Sequence, residues 1–304
     1  MQAQLEPLGM TTKASAYRGR FAPSPTGELH FGSLVAALGS FLQARSRGGR
    51  WLVRIEDIDP PREVPGAAAS QLRTLAGFGL TPDEPVLYQS QLGKGHRQAL
   101  AALLQAGQAF HCACSRRDLP DNGIYPGTCR HGLPPGGKAR SVRARASDQD
   151  ICFDDGIQGP QVQNPGLQSG DFVIRRADGL IAYQLAVVVD DASAGITEVV
   201  RGADLIESTA RQIHLYRCLD WQVPTYAHLP LIVDDNGDKL SKSAGSDPIR
   251  RYPPIIALRL ALRALGHEPP AGHKALDSML TWAQRHWQLE RVPKGPSAIG
   301  VQPG

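Results

Sequence analysis

The sequence predicts an α/β protein built on a parallel sheet, with an inserted subdomain in its middle and a short helical segment towards its end. Three observations carry this. Strand-like and helix-like patterns alternate before residue 111 and resume after residue 168. Between them, residues 111–168 are rich in Gly, Pro, Arg and Asp, with few apolar runs. Three of the five cysteines, Cys112, Cys114 and Cys129, fall inside that stretch.

Taken in order, residues 17–23 read as a short strand entering a Pro-rich turn. Residues 30–47 read as a helix, because Phe31, Leu34, Val35, Leu38, Phe41 and Leu42 recur at helical spacing and give one buried face. Gly48 and Gly49 end it. Residues 51–56 alternate as a strand, and residues 70–78 and 91–106 read as helices. A structureless loop as long as 111–168 is uncommon in a compact domain, so the stretch reads as a subdomain stapled by its cysteines. The sheet resumes at 172–175. Residues 180–189 form a nearly continuous apolar run suited to a sheet interior. Residues 196–200 are another strand, 204–219 a helix with Asp204 as N-cap, and 229–233 a last strand. Residues 255–265 and 275–287 are helices.

Composition narrows the function classes. Of the 304 residues, 41% are hydrophobic and 20% charged, which permits a packed core and excludes wholesale disorder. No apolar run reaches the length of a membrane-spanning helix. The first residues lack the basic-then-apolar pattern of a secretory signal. An odd number of cysteines, unevenly spread, suits a reducing cytoplasm and a metal site better than a disulfide framework. Residues 1–150 carry 18 Lys/Arg against 12 Asp/Glu, while 151–304 carry 15 against 17. The stretch 111–145 holds seven basic residues and two acidic ones, a local excess that fits a polyanion such as RNA, or simply a solubilising surface.

Two segments carry chemistry. In Arg20-Phe21-Ala22-Pro23-Ser24-Pro25-Thr26-Gly27-Glu28-Leu29-His30-Phe31-Gly32-Ser33 a strand enters a rigid turn and a helix begins near His30. Backbone N–H groups at such a helix start favour phosphate, His30 can add a donor, and Gly32 lets a phosphate or flat ring approach closely. In Lys239-Leu240-Ser241-Lys242-Ser243 two mobile cations stand three residues apart after an acidic, Gly-containing turn, and can wrap a triphosphate.

Together, PSPTGELHFGS and KLSKS, about 200 residues apart, resemble the two signatures of class I aminoacyl-tRNA synthetases. The wording RFAPSPTG, and the block from Tyr183 through Asp190-Asp191 to Gly195 and Arg201-Gly202-Ala203-Asp204, is similar to the glutamyl/glutaminyl branch over roughly residues 17–245. Leu240 where Met is often found conserves volume, and Ser33 in place of a second His is normal for this branch. The resemblance implies a Rossmann-type catalytic domain that joins L-glutamate to ATP, with Mg2+, through attack of the glutamate carboxylate on the α-phosphorus. His30, Gly32, Lys239 and Lys242 are implied at the nucleotide, with His30, Lys239 and Lys242 catalytic. The segment Arg20, Phe21, Ala22, Pro23 and Ser24, with Glu56, Tyr183 and Arg201, is implied at the amino acid.

The chemistry of these residues agrees. Guanidinium forks on Arg20 and Arg201 suit two carboxylates, Glu56 suits the ammonium, and Tyr183 offers a hydroxyl. Plainer roles compete: a mutual ion pair for Arg20 and Glu56, and a core position for Tyr183. Asp190 and Asp191 read as structural or loop residues in preference to metal ligands, since no third ligand stands near them in the sequence. Only 62 residues follow Lys242, too few for a large helical anticodon-binding domain. This short form with Cys-x-Cys resembles the tRNA-modifying members of the branch, which implies tRNA-independent activation of glutamate and transfer to the queuosine base of tRNA(Asp). Charging of a tRNA 3′ end, a small nucleotidyltransferase and an inactive RNA-binding regulator are the rival readings.

Thiolates select zinc, which takes four ligands, so Cys112, Cys114 and Cys129 need a fourth. The family pattern puts Tyr125 there, while His111 and His131 are chemically ordinary rivals. Such a zinc ion is structural. The expected organisation is therefore a leader (1–16), the first half of the catalytic domain (17–110), the basic zinc-containing insertion (111–168), the second half with its KLSKS loop (169–248), a helical segment (249–291) and a loose tail (292–304). No heptad or symmetric motif is present, so a monomer is expected.

Overall fold

The computed structural model describes residues 16–233, 249, 252–272 and 274–298. The leader through residue 15, the KLSKS segment and residues 299–304 lie outside the described residues.

The chain runs β1 (Arg18–Phe21), α1 (Phe31–Ser46), β2 (Arg50–Ile55), α2 (Ala67–Gly77), β3 (Leu87–Tyr88), α3 (Gly93–Gln105) and β4 (Ala109–Cys112). It continues with β5 (Ser141–Ala144), β6 (Ile151–Asp155), β7 (Gly159–Gln163), α4 (Pro165–Gln168), β8 (Val173–Arg175) and α5 (Tyr183–Ser193). It then forms β9 (Glu198–Gly202), α6 (Thr209–Cys218), β10 (Thr225–Leu229), β11 (Ile232–Val233), α7 (Pro254–Ala264), α8 (Leu276–His286) and β12 (Ser297–Ala298).

β1 pairs in parallel with β2, and β2 with β3. On the other side β9 pairs in parallel with β10, which meets β6 of the β6–β7 hairpin. Thr197 N donates to Arg18 O (2.9 Å) and Arg18 N to Thr197 Oγ1 (2.9 Å), which sets β9 beside β1. The chain winds from β1 to β2 in one direction and from β9 to β10 in the other. The ends of β1 and β9 therefore flank a topological switch point, the place where parallel α/β sheets bind ligands. An antiparallel sheet, β4–β5–β8, packs its apolar face on α5 and α6 through Val142, Ile174, Leu185, Val188 and Leu215.

Helix α1 is buried nearly all round, unlike the one-faced helix expected from its spacing. The sheet covers one side, and α7 and α8 cover the other with Leu258, Ala261, Leu262, Met279 and Ala283. Its polar groups are satisfied inside: Trp51 Nε1 donates to Ser40 Oγ (3.0 Å), Trp287 Nε1 to Gln43 Oε1 (2.9 Å), and Gln43 Nε2 to Glu198 Oε2 (2.8 Å).

Four expectations need correction. The apolar run 180–189 is no strand. Residues 183–193 form helix α5, buried between the antiparallel sheet, α3 and α6, and apolar residues on all sides suit a buried helix as well as a central strand. Asp204 does not cap α6, because residues 203–208 form a 3-10 turn and α6 starts at Thr209. The expected strand 229–233 is split around Pro230, with β10 ending at Leu229 and β11 beginning at Ile232. Of the tail expected to be loose, the described part is held: Val292 is buried and β12 pairs in parallel with β11.

Leu38 is fully buried on α1, far along the helix from its first turn. We expect Leu38→Ala to lower unfolding free energy by about 2–5 kcal/mol in urea titrations, the usual cost of deleting a buried leucine.

Candidate active site

The carboxyl ends of β1, β2 and β9 open on one cavity of about 300 Å³. Arg20, Phe21, Ala22 and Ser24 reach it from β1 and the turn that follows, Glu56 from the residue after β2, and Val200, Arg201 and Gly202 from β9. Tyr183, at the first position of α5, and Ala36 and Leu205 complete the wall. Seven of the eight residues expected at the amino acid thus share one cavity. Pro23 stands behind it, buried, with its carbonyl accepting from Glu56 N (2.9 Å).

The charges are arranged by a partner that the sequence reading treated as structural. Asp191, buried on α5, accepts from Arg20 Nε with both carboxylate oxygens (3.2 Å each) and lies 3.1 Å from Arg20 Nη2. The same carboxylate takes Arg54 Nη1 at 2.6 Å, and Arg54 Nη2 donates to Glu56 Oε1 (3.1 Å). Arg20 and Glu56 are therefore not each other's ion pair; Arg54 and Asp191 stand between them. Burial pushes the Asp191 carboxyl up, but Arg20 and Arg54 outweigh it and hold the group below its ordinary value. Burial pushes Glu56 up in spite of Arg54 and Arg20 beside it. It also pushes the Tyr183 phenol up, so that its hydroxyl stays protonated. Beside it on α5, Asp190 meets His96 Nε2 (2.7 Å) and accepts from Gln89 Nε2 (2.6 Å).

Arg201 is gripped differently. Its Nε donates to His228 Nε2 (3.0 Å), Nη1 to Gln212 Oε1 (2.7 Å), and Nη2 to Thr209 Oγ1 (2.9 Å) and Leu205 O (3.3 Å). Every one of these acceptors is uncharged.

His30 is the N-cap of α1, and its Nδ1 accepts from Ser33 N (3.3 Å). Gly32 packs beneath it: a Cβ there would lie 3.2 Å from His30 Cε1. The turn leading to the helix is braced by Gln71 of α2, whose Nε2 donates to Gly27 O (2.7 Å) and Ser24 O (3.0 Å). Lys239 and Lys242 lie outside the described residues.

In the insertion, the thiols of Cys112, Cys114 and Cys129 lie within 4.8 Å of one another, with Cys114 and Cys129 3.7 Å apart. Bonds of about 2.3 Å to a tetrahedral zinc separate sulfurs by about 3.8 Å, so this donor set fits a metal ion. The Tyr125 hydroxyl sits against them, 3.5 Å from Cys112 Sγ and 3.9 Å from Cys114 Sγ, and accepts from Cys129 N (2.8 Å). Gly170 (φ +62°) lets the backbone pass Tyr125 closely; a Cβ there would meet Tyr125 O at 2.4 Å. His111 and His131 are exposed and belong to no such group among the described residues. Arg143 donates to Cys112 Sγ (3.4 Å) and covers the Tyr125 ring (3.9 Å). Burial pushes the Cys112 thiol up, but hydrogen bonds with Tyr125 and Arg143 bring it down to about 7. Arg130, Arg143 and Arg145 turn their guanidinium groups to internal partners, carbonyls for all three and also the Asp171 carboxylate for Arg130 (3.4 Å), while Arg116, Arg117, Lys138 and Arg140 are the exposed cations of the insertion.

Arg54, His228, Asp155 and Gln71 escaped the sequence reading. Arg54 alone left a signal, a charged residue in the middle of an apolar strand.

The sequence profile of the tRNA synthetases class I (E and Q), catalytic domain, matches residues 16–122 and 131–261. The chain belongs to this synthetase family. As a class I synthetase of the E and Q group it is a ligase, and that membership implies use of ATP with Mg2+. It is 51% identical over 290 residues to the glutamyl-Q tRNA(Asp) synthetase of Aromatoleum aromaticum, covering 92% of either chain. It is 50% identical over 287 residues to the enzyme of that name from Chromobacterium violaceum, covering 92% of this chain and 96% of the relative. A solved glutamate tRNA ligase from Elizabethkingia meningosepticum, in complex with its amino acid, superposes with a TM-score of 0.80 at 25% identity. That likeness covers 94% of this synthetase and 68% of the ligase. Among the described residues no helix is long and apolar enough to cross a membrane.

Because Asp191 ionises more readily folded than unfolded, its contribution to stability is complete above about pH 4 and is lost as acid carries the pH below its depressed value. Asp191→Asn should cost about 3–5 kcal/mol near neutrality, where it strips a buried counter-charge from two arginines. That penalty should shrink below pH 4. Denaturant titrations of both proteins between pH 7 and pH 3 measure the convergence.

Proposed function

We propose that this synthetase activates L-glutamate with ATP to glutamyl-adenylate without tRNA, then transfers glutamate to the queuosine base in the anticodon loop of tRNA(Asp), in the cytoplasm. The observation that carries the first half is the cavity at the switch point, where Arg20, Arg201, Glu56 and Tyr183 converge. A dicarboxylic amino acid needs cations for two carboxylates, an anion for its ammonium and a fixed hydroxyl, and this wall holds that set. The second half rests on the name shared by relatives that match over nine-tenths of the chain.

In this reading Arg20 and Arg201 hold the carboxylates, Glu56 takes the ammonium, and the Tyr183 hydroxyl orients the substrate. Phe21, Ala22, Pro23 and Ser24 form the wall and turn around it. The α-carboxylate attacks the α-phosphorus, forming the acyl–phosphate bond while the bond to pyrophosphate breaks. No protein nucleophile is required. The chain supplies position and charge: His30 and Gly32 at the start of α1, and Lys239 and Lys242 at the leaving phosphates. Bound Mg2+ would neutralise further phosphate charge. Zinc held by Cys112, Cys114 and Cys129 with Tyr125 would hold the insertion in shape, leaving Arg116, Arg117, Lys138 and Arg140 to meet RNA phosphates.

Exchange of pyrophosphate into ATP should depend on glutamate and need no RNA; exchange that requires tRNA would overturn tRNA-independent activation. Lys242→Ala should lower the exchange rate by at least about a hundredfold, the cost of removing one transition-state donor. Labelled glutamate should map by nuclease digestion to the anticodon loop of tRNA(Asp). Label at the 3′ end would replace base modification with conventional charging. Protein prepared without chelators should contain one zinc per chain by elemental analysis, and Cys114→Ser should lose most of it.

A further inference from the structure

Behind Arg201 lies a buried pair of side chains that do not themselves line the cavity. His228 on β10 is fully buried, and Asp155 at the end of β6 is 4% exposed. His228 Nδ1 lies 2.5 Å from Asp155 Oδ2, and His228 Nε2 faces Arg201 Nε at 3.0 Å and the Thr209 hydroxyl at 3.3 Å. Asp155 Oδ1 is occupied by three backbone donors: His228 N (3.0 Å), Ile157 N (3.0 Å) and Gln158 N (2.9 Å). The carboxylate cannot rotate without abandoning all three. Oδ2 is therefore locked towards the imidazole and can only accept, so Nδ1 carries the hydrogen. Nε2 is left with a lone pair, the one arrangement that receives an N–H from Arg201. Burial beside Arg201 holds the imidazole neutral, consistent with that lone pair.

We infer that Asp155 and His228 are positioning residues for glutamate recognition, acting together to fix the tautomer that aims the Arg201 guanidinium into the cavity. Neither lines the cavity; they act through Arg201. The inference rests on the proposed role of Arg201 at a substrate carboxylate. Three substitutions separate a tautomer effect from loss of packing. In Asp155→Asn the three backbone donors keep the amide oxygen in place, so the amide nitrogen faces Nδ1. The imidazole must then move its hydrogen to Nε2, against the Arg201 N–H. His228→Asn keeps a donor near Asp155 but removes the acceptor from Arg201. His228→Gln keeps an acceptor where Nε2 stood.

Asp155→Asn and His228→Asn should raise KM for glutamate about tenfold to a hundredfold in pyrophosphate exchange, as an unsatisfied buried donor predicts, with KM for ATP unchanged. His228→Gln should stay within about threefold of the parent, because the acceptor survives. Equal damage from His228→Gln and His228→Asn, or an unchanged glutamate KM in Asp155→Asn, would overturn the inference. Nitrogen-15 spectra of the imidazoles give a reading that does not need activity: the His228 signal, assigned by its absence in His228→Gln, should report N–H at Nδ1 in the parent and at Nε2 in Asp155→Asn. A parent with its hydrogen on Nε2 ends the proposal even if exchange behaves as expected. A parent without glutamate-dependent exchange counts against the proposed function and leaves the spectra to decide this point.

Discussion

The carboxylate of Asp191 is the constraint on which the rest of the site depends. It is a buried anion, and a buried anion is tolerable only when paired and hydrogen-bonded. Here it is shared by Arg20 of β1 and Arg54 of β2, two neighbouring strands of the parallel sheet. One group on α5 thus sets two guanidinium groups, and through Arg54 also Glu56, so that Arg20 and Glu56, one cation and one anion of the cavity wall, are positioned from a single point. An apolar residue there would pack with less desolvation cost, and buried ion pairs often contribute little net stability. What the pair supplies is geometry: removing any member strands the others without water. Asp190 extends the arrangement outwards, tying α5 to α3 through His96 and to Gln89.

That arrangement makes sense only at the switch point. Strands wind away from β1 on one side and from β9 on the other, so no crossover helix closes the gap between their carboxyl ends. Side chains from both halves then face one cavity without loops having to reach across. The helix that starts below it, α1, is fixed by being buried on both sides, and Gln71 braces the turn before it by holding two of its carbonyls. The cavity and the start of α1 therefore sit on rigid supports, which suits the proposed reaction, whose catalysis is mostly placement and charge.

Much of this was legible in the residues. Arg20 to Ser24 at and after β1, Glu56 after β2 and Arg201 near the end of β9 come together because each stands at or just past the end of a strand, where sequence pattern and spatial position agree; Tyr183 joins them through the family resemblance, because the pattern around it suggested a strand. The illegible parts have a common cause. Residues 180–189 are apolar without period, and such a run records burial, not backbone shape; whether helix α5 or a strand results is decided by what surrounds it. Asp155 and His228 are 73 positions apart, and their meeting depends on β6 and β10 becoming neighbours, which local pattern does not encode. Arg54 is the intermediate case. Its place inside an apolar strand marks it as paired, but only the packing of α5 names the partner.

The two arginines of the cavity are held by opposite means, and the difference has a physical consequence. Arg20 faces a carboxylate directly, so much of its charge is already compensated before any ligand arrives. Arg201 is surrounded by an imidazole, an amide oxygen, a hydroxyl and a carbonyl, and its nearest carboxylate along this chain of contacts, Asp155, stands one ring away. Neutral acceptors fix orientation while leaving the positive charge to act on whatever enters. A site built only from arginines of the first kind would be well ordered and weakly attractive to an anion. One built only from the second kind would carry two uncompensated buried charges when empty. Pairing the two lets the empty cavity stay folded and still offer a net cation to a dicarboxylic amino acid, with the tautomer of His228 as the element that keeps the second arginine oriented without neutralising it.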